Sequence, residues 1–211
     1  MVEQQAVLVL GGGWTGVRFA QRSGRKVTVT TRTAEKMNAM IGMGLDAIRF
    51  DLEDESSWTA LPKEGPVVIT FDLAEKHIPY YEKLWEQYLK DRPVFVLAAV
   101  SVFDWEPTNR LVTEDSPLTG KSMWTGKTQD SRVNGEKWVL EKGGSILSLS
   151  GIVSDVGDGK EDETGTVMGG DRSAKSFFDK GYVKNGLKVM NVIHVNDICK
   201  ILDVVLSKAG T

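Results

Sequence analysis

An apolar run from Val7 to Leu10 passes directly into Gly11, Gly12 and Gly13 and then into "WTGVRFA", which has helical spacing. This junction constrains the chain more than any other feature, because Gly11, Gly13 and Gly16 fit G-x-G-x-x-G at the point where a strand gives way to a helix. In that context each glycine has a separate task. The first allows a sharp turn, the second lets a pyrophosphate approach the backbone, and the third permits close packing of helix on strand. The helix N-terminus adds N–H groups and the positive end of a dipole. Trp14 and Thr15 lie inside the motif and belong to the same candidate seat. The competing reading is a tight turn in a chain with 22 glycines among 211 residues, and the strand-to-helix setting favours the pyrophosphate.

The rest of the chain supplies a matching framework. Six β-branched runs, "AVLVLG", "KVTVTTR", "LDAIRFDL", "PVVITFD", "PVFVLAAVSV" and "GSILSLSGIV", alternate with helical patterns. This predicts an α/β fold with a doubly wound, mainly parallel sheet and flanking helices. Between the fourth and fifth runs, Ile78, Tyr81, Leu84, Trp85 and Leu89 recur at helical spacing and predict a crossover helix buried on one face. The first crossover, "TGVRFAQRSGRK", is short enough to predict only two to three turns. Near the end, Asp197 is read as the cap of a closing helix whose apolar stripe is Ile198, Ile201, Leu202, Val205 and Leu206.

The end of the second run bears on which dinucleotide would fit. Where a ribose 2′-OH would be met by a carboxylate, the chain has Thr31, Arg32 and Thr33. A guanidinium pairs with a 2′-phosphate in a bidentate, charge-assisted contact, and the hydroxyls can donate to the same oxygens. NADP(H) is therefore expected over NAD(H). The competing reading of Arg32 is a solvated strand-end residue. Asp51 and Leu52, at the end of the third run, fall where an adenine would lie, with an ordinary loop carboxylate as the alternative for Asp51, and Phe71 closes the fourth run as a further cofactor-binding candidate.

Composition removes several function classes. Twenty-six basic and 29 acidic residues give a formal charge of -3 without a basic stripe, which argues against nucleic acid. The apolar stretches fall short of the roughly 20 residues that cross a bilayer. The start lacks a basic n-region and a cleavage site, so a soluble, cytoplasmic protein is expected, although a removed organelle-targeting peptide leaves no trace. Cys199 is the one cysteine and His77 and His194 the two histidines, so neither a disulfide framework nor zinc-ligand spacing is present.

With these residues in hand, the chain resembles the extended short-chain dehydrogenase/reductase superfamily, in particular its atypical members similar to sugar-nucleotide epimerases, which have the NAD(P)-binding Rossmann fold. The likeness rests on "GGGWTG", "VSVFDW", "LVTEDSPLTG", "SRVNGEKWVLE", "LSLSGIV" and "NVIHVNDI", six segments in the family's order. The resemblance implies chemistry by a Ser or Thr, a Tyr and a Lys, in which the lysine lowers the tyrosine's pKa so that the phenolate serves as general base. Those positions fall on Ala99, Thr128 and Arg132. All three are changed, and a threonine hydroxyl is too weak an acid to replace a phenol.

Nearby groups do not recreate the spacing. Ser101 reads as a strand-end hydroxyl, Trp124 as a loop anchor, and Lys121 and Lys127 as solvated charges. In the resembling proteins the equivalent of His194 belongs to a structural turn before the last helix. The resemblance further implies a substrate lobe after that helix, and the chain ends at Thr211, so a truncated lobe is expected. Residues 155–190 would form a loop-rich partial lobe in which Phe177, Phe178 and Tyr182 are core, substrate wall or partner surface.

One dinucleotide-binding domain over residues 1–211 follows. The leading expectation is an NADP(H)-binding sensor, scaffold or assembly factor whose partner is a small molecule or a protein. The alternative is an NADPH-dependent oxidoreductase or epimerase with unconventional catalytic groups, and a weaker third is an interaction domain that has lost the cofactor. Helices beside the cleft form a four-helix dimer in many related folds, which adds a homodimer to the expectations.

Overall fold

A computed structural model of the chain describes residues 6–93, 95–100, 103–105, 118–122, 126–128, 130–149, 151–153 and 192–208. Six strands form the central sheet: β1 (Val7–Leu10), β2 (Val27–Thr31), β3 (Asp46–Arg49), β4 (Val67–Ile69), β5 (Phe95–Val100) and β8 (Ser145–Leu149). Their order is β3-β2-β1-β4-β5-β8, and each neighbouring pair is parallel. The six β-branched runs of the sequence are these six strands. β6 (Phe103–Trp105) and β7 (Leu118–Ser122) pair antiparallel, and β9 (Gly151–Val153) pairs parallel with β10 (Val192–His194). The order reverses between β1 and β4, which opens a crevice beyond the carboxyl ends of the strands in a doubly wound, Rossmann-type α/β fold.

The central strands β1 and β4 are apolar and buried on both faces because both faces are covered. Val7 and Val9 of β1 enter one core with Val17, Phe19, Ile198 and Leu202, while Leu8 and Leu10 enter another with Trp58, Tyr81, Leu84 and Trp138. The period of two in a strand sends alternate residues to opposite layers, and β5 repeats the split with Val96 and Ala98 against Leu97. Each of the fully buried large side chains contributes about 1.5–3 kcal/mol.

Helix α1 (Trp14–Arg22) is nine residues long, about two and a half turns, and packs on the last helix, α5 (Val195–Lys208). Helix α2 (Ala34–Gly42) follows β2, and α3 (Ile78–Leu84) continues into a π-helical turn over Trp85–Leu89. Tyr81, Leu84 and Leu89 are buried there as the spacing predicts. Helix α4 (Ser131–Glu141) leads into β8.

Two expectations for α5 are corrected. The helix begins at Val195, so Asp197 lies inside the first turn and is not its cap, although a carboxylate there still meets the positive end of the dipole. Ile201 is 37% exposed, and Val195 and Cys199 fill the inner face with Ile198, Leu202 and Leu206. The sequence stripe overlooked that the helix starts three residues earlier. Among the described residues, no helix is long and apolar enough to cross a membrane. The loop 155–190, with Phe177, Phe178 and Tyr182, lies outside the described residues.

Candidate functional site

The glycine turn is built between two strands. Gly11 has φ of +115°, a region that L side chains rarely adopt, and its N–H donates to Thr30 Oγ1 at 3.0 Å. The N–H of Gly12 donates to the Thr30 carbonyl at 2.5 Å, and Thr70 Oγ1 donates to the Gly11 carbonyl at 2.6 Å. The turn is thus held from β2 on one side and from the end of β4 on the other. A Cβ at Gly16 would fall onto the carbonyl oxygen of Gly11, and one at Gly12 would meet Met40. Gly13 differs from both. A Cβ there would meet nothing within 4 Å, and Gly13, which has no side chain to offer a capping hydrogen bond, stands at the N-terminus of α1.

A cleft of about 420 Å³ opens from this turn along the carboxyl ends of the strands. Gly11, Gly12 and Gly13 form one wall, and Thr30, Thr31, Arg32 and Lys36 continue it past the end of β2. Phe50, Asp51, Leu52 and Glu53 line it after β3, and Phe71, Asp72 and His77 after β4. Arg32 and Lys36 are exposed cations. Asp51 is folded into its own loop: its N–H donates to Ser57 Oγ at 2.9 Å, its carbonyl accepts from Trp58 Nε1 at 3.0 Å, and Oδ1 accepts from the Glu53 N–H at 3.1 Å. The Phe71 ring packs under Gly11 and lies 6.3 Å from the Tyr81 ring, which joins the cleft wall to the core.

The sequence-derived candidates divide by where the fold puts them. Gly11, Gly13, Thr31, Arg32, Asp51, Leu52 and Phe71 come together at this cleft. Trp14 and Thr15 do not line it: both residues are 7% exposed, and Trp14 packs in the core with Val17 and Phe19. Gly16 is a packing contact with Gly11, and Thr33 caps α2 by accepting from the Lys36 N–H at 3.3 Å. Gly12, Thr30, Lys36, Phe50, Glu53, Asp72 and His77 line the cleft without having been singled out for it. For Lys36 the signal was legible, since it stands four residues beyond Arg32 at the start of a helix.

The family's catalytic positions sit in different surroundings. Ala99 pairs with Ser148 in the sheet, and Thr128 is exposed in a bend before α4. The Arg132 guanidinium forms an ion pair with the Asp72 carboxylate, which places Arg132 beside the cleft wall. Its main-chain N–H donates to Asp130 Oδ1 at 3.0 Å, and Ser131 Oγ accepts from the Glu75 N–H at 2.9 Å. These bonds dock the start of α4 on the segment after β4. The Tyr81 ring lies beside that of Phe71, but burial pushes its hydroxyl well above the usual phenol range, so it offers no base at neutral pH. His194 ends β10, and its Nδ1 accepts from the Asn196 N–H at 3.2 Å in the turn into α5. Lys121 and Lys127 are exposed, Ser101 and Trp124 lie outside the described residues, and no three His, Cys, Asp or Glu side chains converge as a metal site among those described.

No protein-family model matches the chain, and no curated protein matches it in sequence. Solved structures do share its fold. Gre2 from Candida albicans in complex with NADPH aligns with a TM-score of 0.64 at 12% identity, over 97% of this chain and 75% of that one. Human epimerase family protein SDR39U1 (isoform 2) with NADPH aligns at 0.60 and 15% identity, over 98% and 72%. UDP-glucose 4-epimerase from Thermus thermophilus in complex with NAD aligns at 0.59 and 17% identity, over 96% and 74%. The likeness extends along nearly the whole chain and establishes the Rossmann α/β architecture.

Proposed function

We propose that this chain, which shares its fold with NADPH- and NAD-bound epimerases and reductases, is an NADP(H)-binding protein of the short-chain dehydrogenase/reductase type in which the Ser-Tyr-Lys chemistry has been lost. The observation that carries this reading is the cleft itself. It runs from a glycine turn at the N-terminus of α1 to two exposed cations at the end of β2, in the place where a carboxylate would repel a 2′-phosphate.

In this reading the backbone of Gly12 and Gly13, at the start of α1, receives the pyrophosphate. Arg32 and Lys36, with the Thr31 and Thr33 hydroxyls, take the 2′-phosphate. Leu52 and Phe71 provide apolar walls for the base, and Asp51 holds the loop that carries Leu52. The cofactor supplies hydride chemistry, and this chain's own residues bind and orient it. Ala99 has no hydroxyl to orient a carbonyl, Thr128 has no phenol, and Arg132 is engaged by Asp72. The binding event, not turnover, is then the output, as in a sensor, scaffold or assembly factor. We read the 211 residues as one such domain.

Calorimetry of the unmodified chain with NADPH and NADH tests the binding, with micromolar affinity for NADPH and at least about tenfold weaker NADH expected from loss of a charged contact. Equal affinities remove the NADP(H) assignment. Steady oxidation of NADPH with an aldehyde, quinone or sugar nucleotide, abolished by Thr128→Val, would establish the oxidoreductase or epimerase reading instead.

A further inference from the structure

The cleft has a side-chain contact across its rim. Glu53, in the loop after β3, and His77, in the 3-10 turn before α3, both line it, and Nε2 of His77 lies 3.6 Å from Oε1 of Glu53. The two backbones are anchored separately: the Glu53 N–H donates to Asp51 Oδ1 at 3.1 Å, and the His77 N–H to the Ala74 carbonyl at 2.8 Å. Neither side chain is needed to hold its own segment. His77 stands before α3 without making a side-chain capping bond, and the Glu53 side chain is 60% exposed. The contact therefore joins two loops that approach from opposite walls of the same cleft.

On the reading that this cleft holds a dinucleotide, we propose that Glu53 and His77 form a clasp over its rim, and that the clasp sets how slowly the bound dinucleotide leaves. The cations hold one end of the ligand by charge. The clasp acts across the rim by bridging the loop that carries Leu52 to the segment that carries Phe71. A ligand seated between those walls can leave only after the bridge opens. Because the pair is partly exposed, its opening is easy and the effect on release is modest.

Stopped-flow fluorescence of NADPH on the full chain, comparing the unmodified protein with Glu53→Ala, His77→Ala and the double variant, tests this. Each single variant is expected to release NADPH about two- to fivefold faster with an unchanged association rate and unchanged melting temperature. The double variant is expected to match the singles, because the second substitution has no bridge left to break. Release at the unmodified rate in both single variants overturns the clasp, as do additive effects that follow a fall in melting temperature. Absence of NADPH binding by the unmodified chain removes the dinucleotide reading and the clasp with it, whereas binding with unaltered release removes the clasp alone.

Discussion

Thr70 donates its hydroxyl to the carbonyl oxygen of Gly11 across 2.6 Å, so the end of β4 holds the glycine turn that follows β1. Thr70→Val keeps the shape and removes the donor, leaving a part-buried carbonyl without its partner. The expected loss is about 1–2 kcal/mol, read from urea unfolding at constant m-value. An unchanged midpoint would show that the turn holds its shape without this bond.

The glycines of the turn are expected to separate binding from folding. Gly13→Val projects into open space, so the domain should keep its circular dichroism and melting temperature while losing NADPH affinity, because the branched side chain occupies the place of the pyrophosphate. Gly16→Ala puts a methyl group on the Gly11 carbonyl and should destabilise the domain by about 1–3 kcal/mol or more. Intact NADPH binding by folded Gly13→Val would reduce the motif to a tight turn.

Arg32 and Lys36 are expected to act on the 2′-phosphate alone. Arg32→Ala should weaken NADPH by about tenfold or more and leave NADH nearly unchanged, a contact worth about 1.5–3 kcal/mol. Lys36→Ala should act in the same direction by about two- to fivefold, as an exposed charge does. A parallel fall in NADH affinity, measured in the same titration, would show that these cations do not read the phosphate.

Cys199 is buried against α1, and burial pushes its thiol to about 11, with Asp203 adding to the rise while Arg22 and Arg18 oppose it. The folded chain should therefore resist a disulfide reagent at pH 8 and react at the rate of unfolding. The neutral thiol is the form the fold prefers. Its contribution is fully present below the unfolded thiol's value, near 9, and is lost as pH rises through about 11. Rapid labelling of the folded chain at pH 8 would contradict the burial.

The elements that local chemistry governs were legible in the sequence. β-Branched runs, glycine positions and helical spacing act over a few residues, so the six strands and the short α1 follow from them. The turn at Gly11 to Gly16 was legible for the same reason, since its backbone demands are local. The burial of Trp14 and Thr15 was not, because which side of α1 is covered depends on α5, from the other end of the chain. Asp72, which holds Arg132, and His77, which meets Glu53, were equally invisible. Each lies in a loop after a strand, and only parallel pairing in the order β3-β2-β1-β4 brings those loops to one edge of the sheet. The sequence by itself determined the strands, the glycine turn and the cation at the end of β2. The tertiary structure decided which side chains share the cleft, because their meeting depends on long-range sheet order that no local pattern encodes.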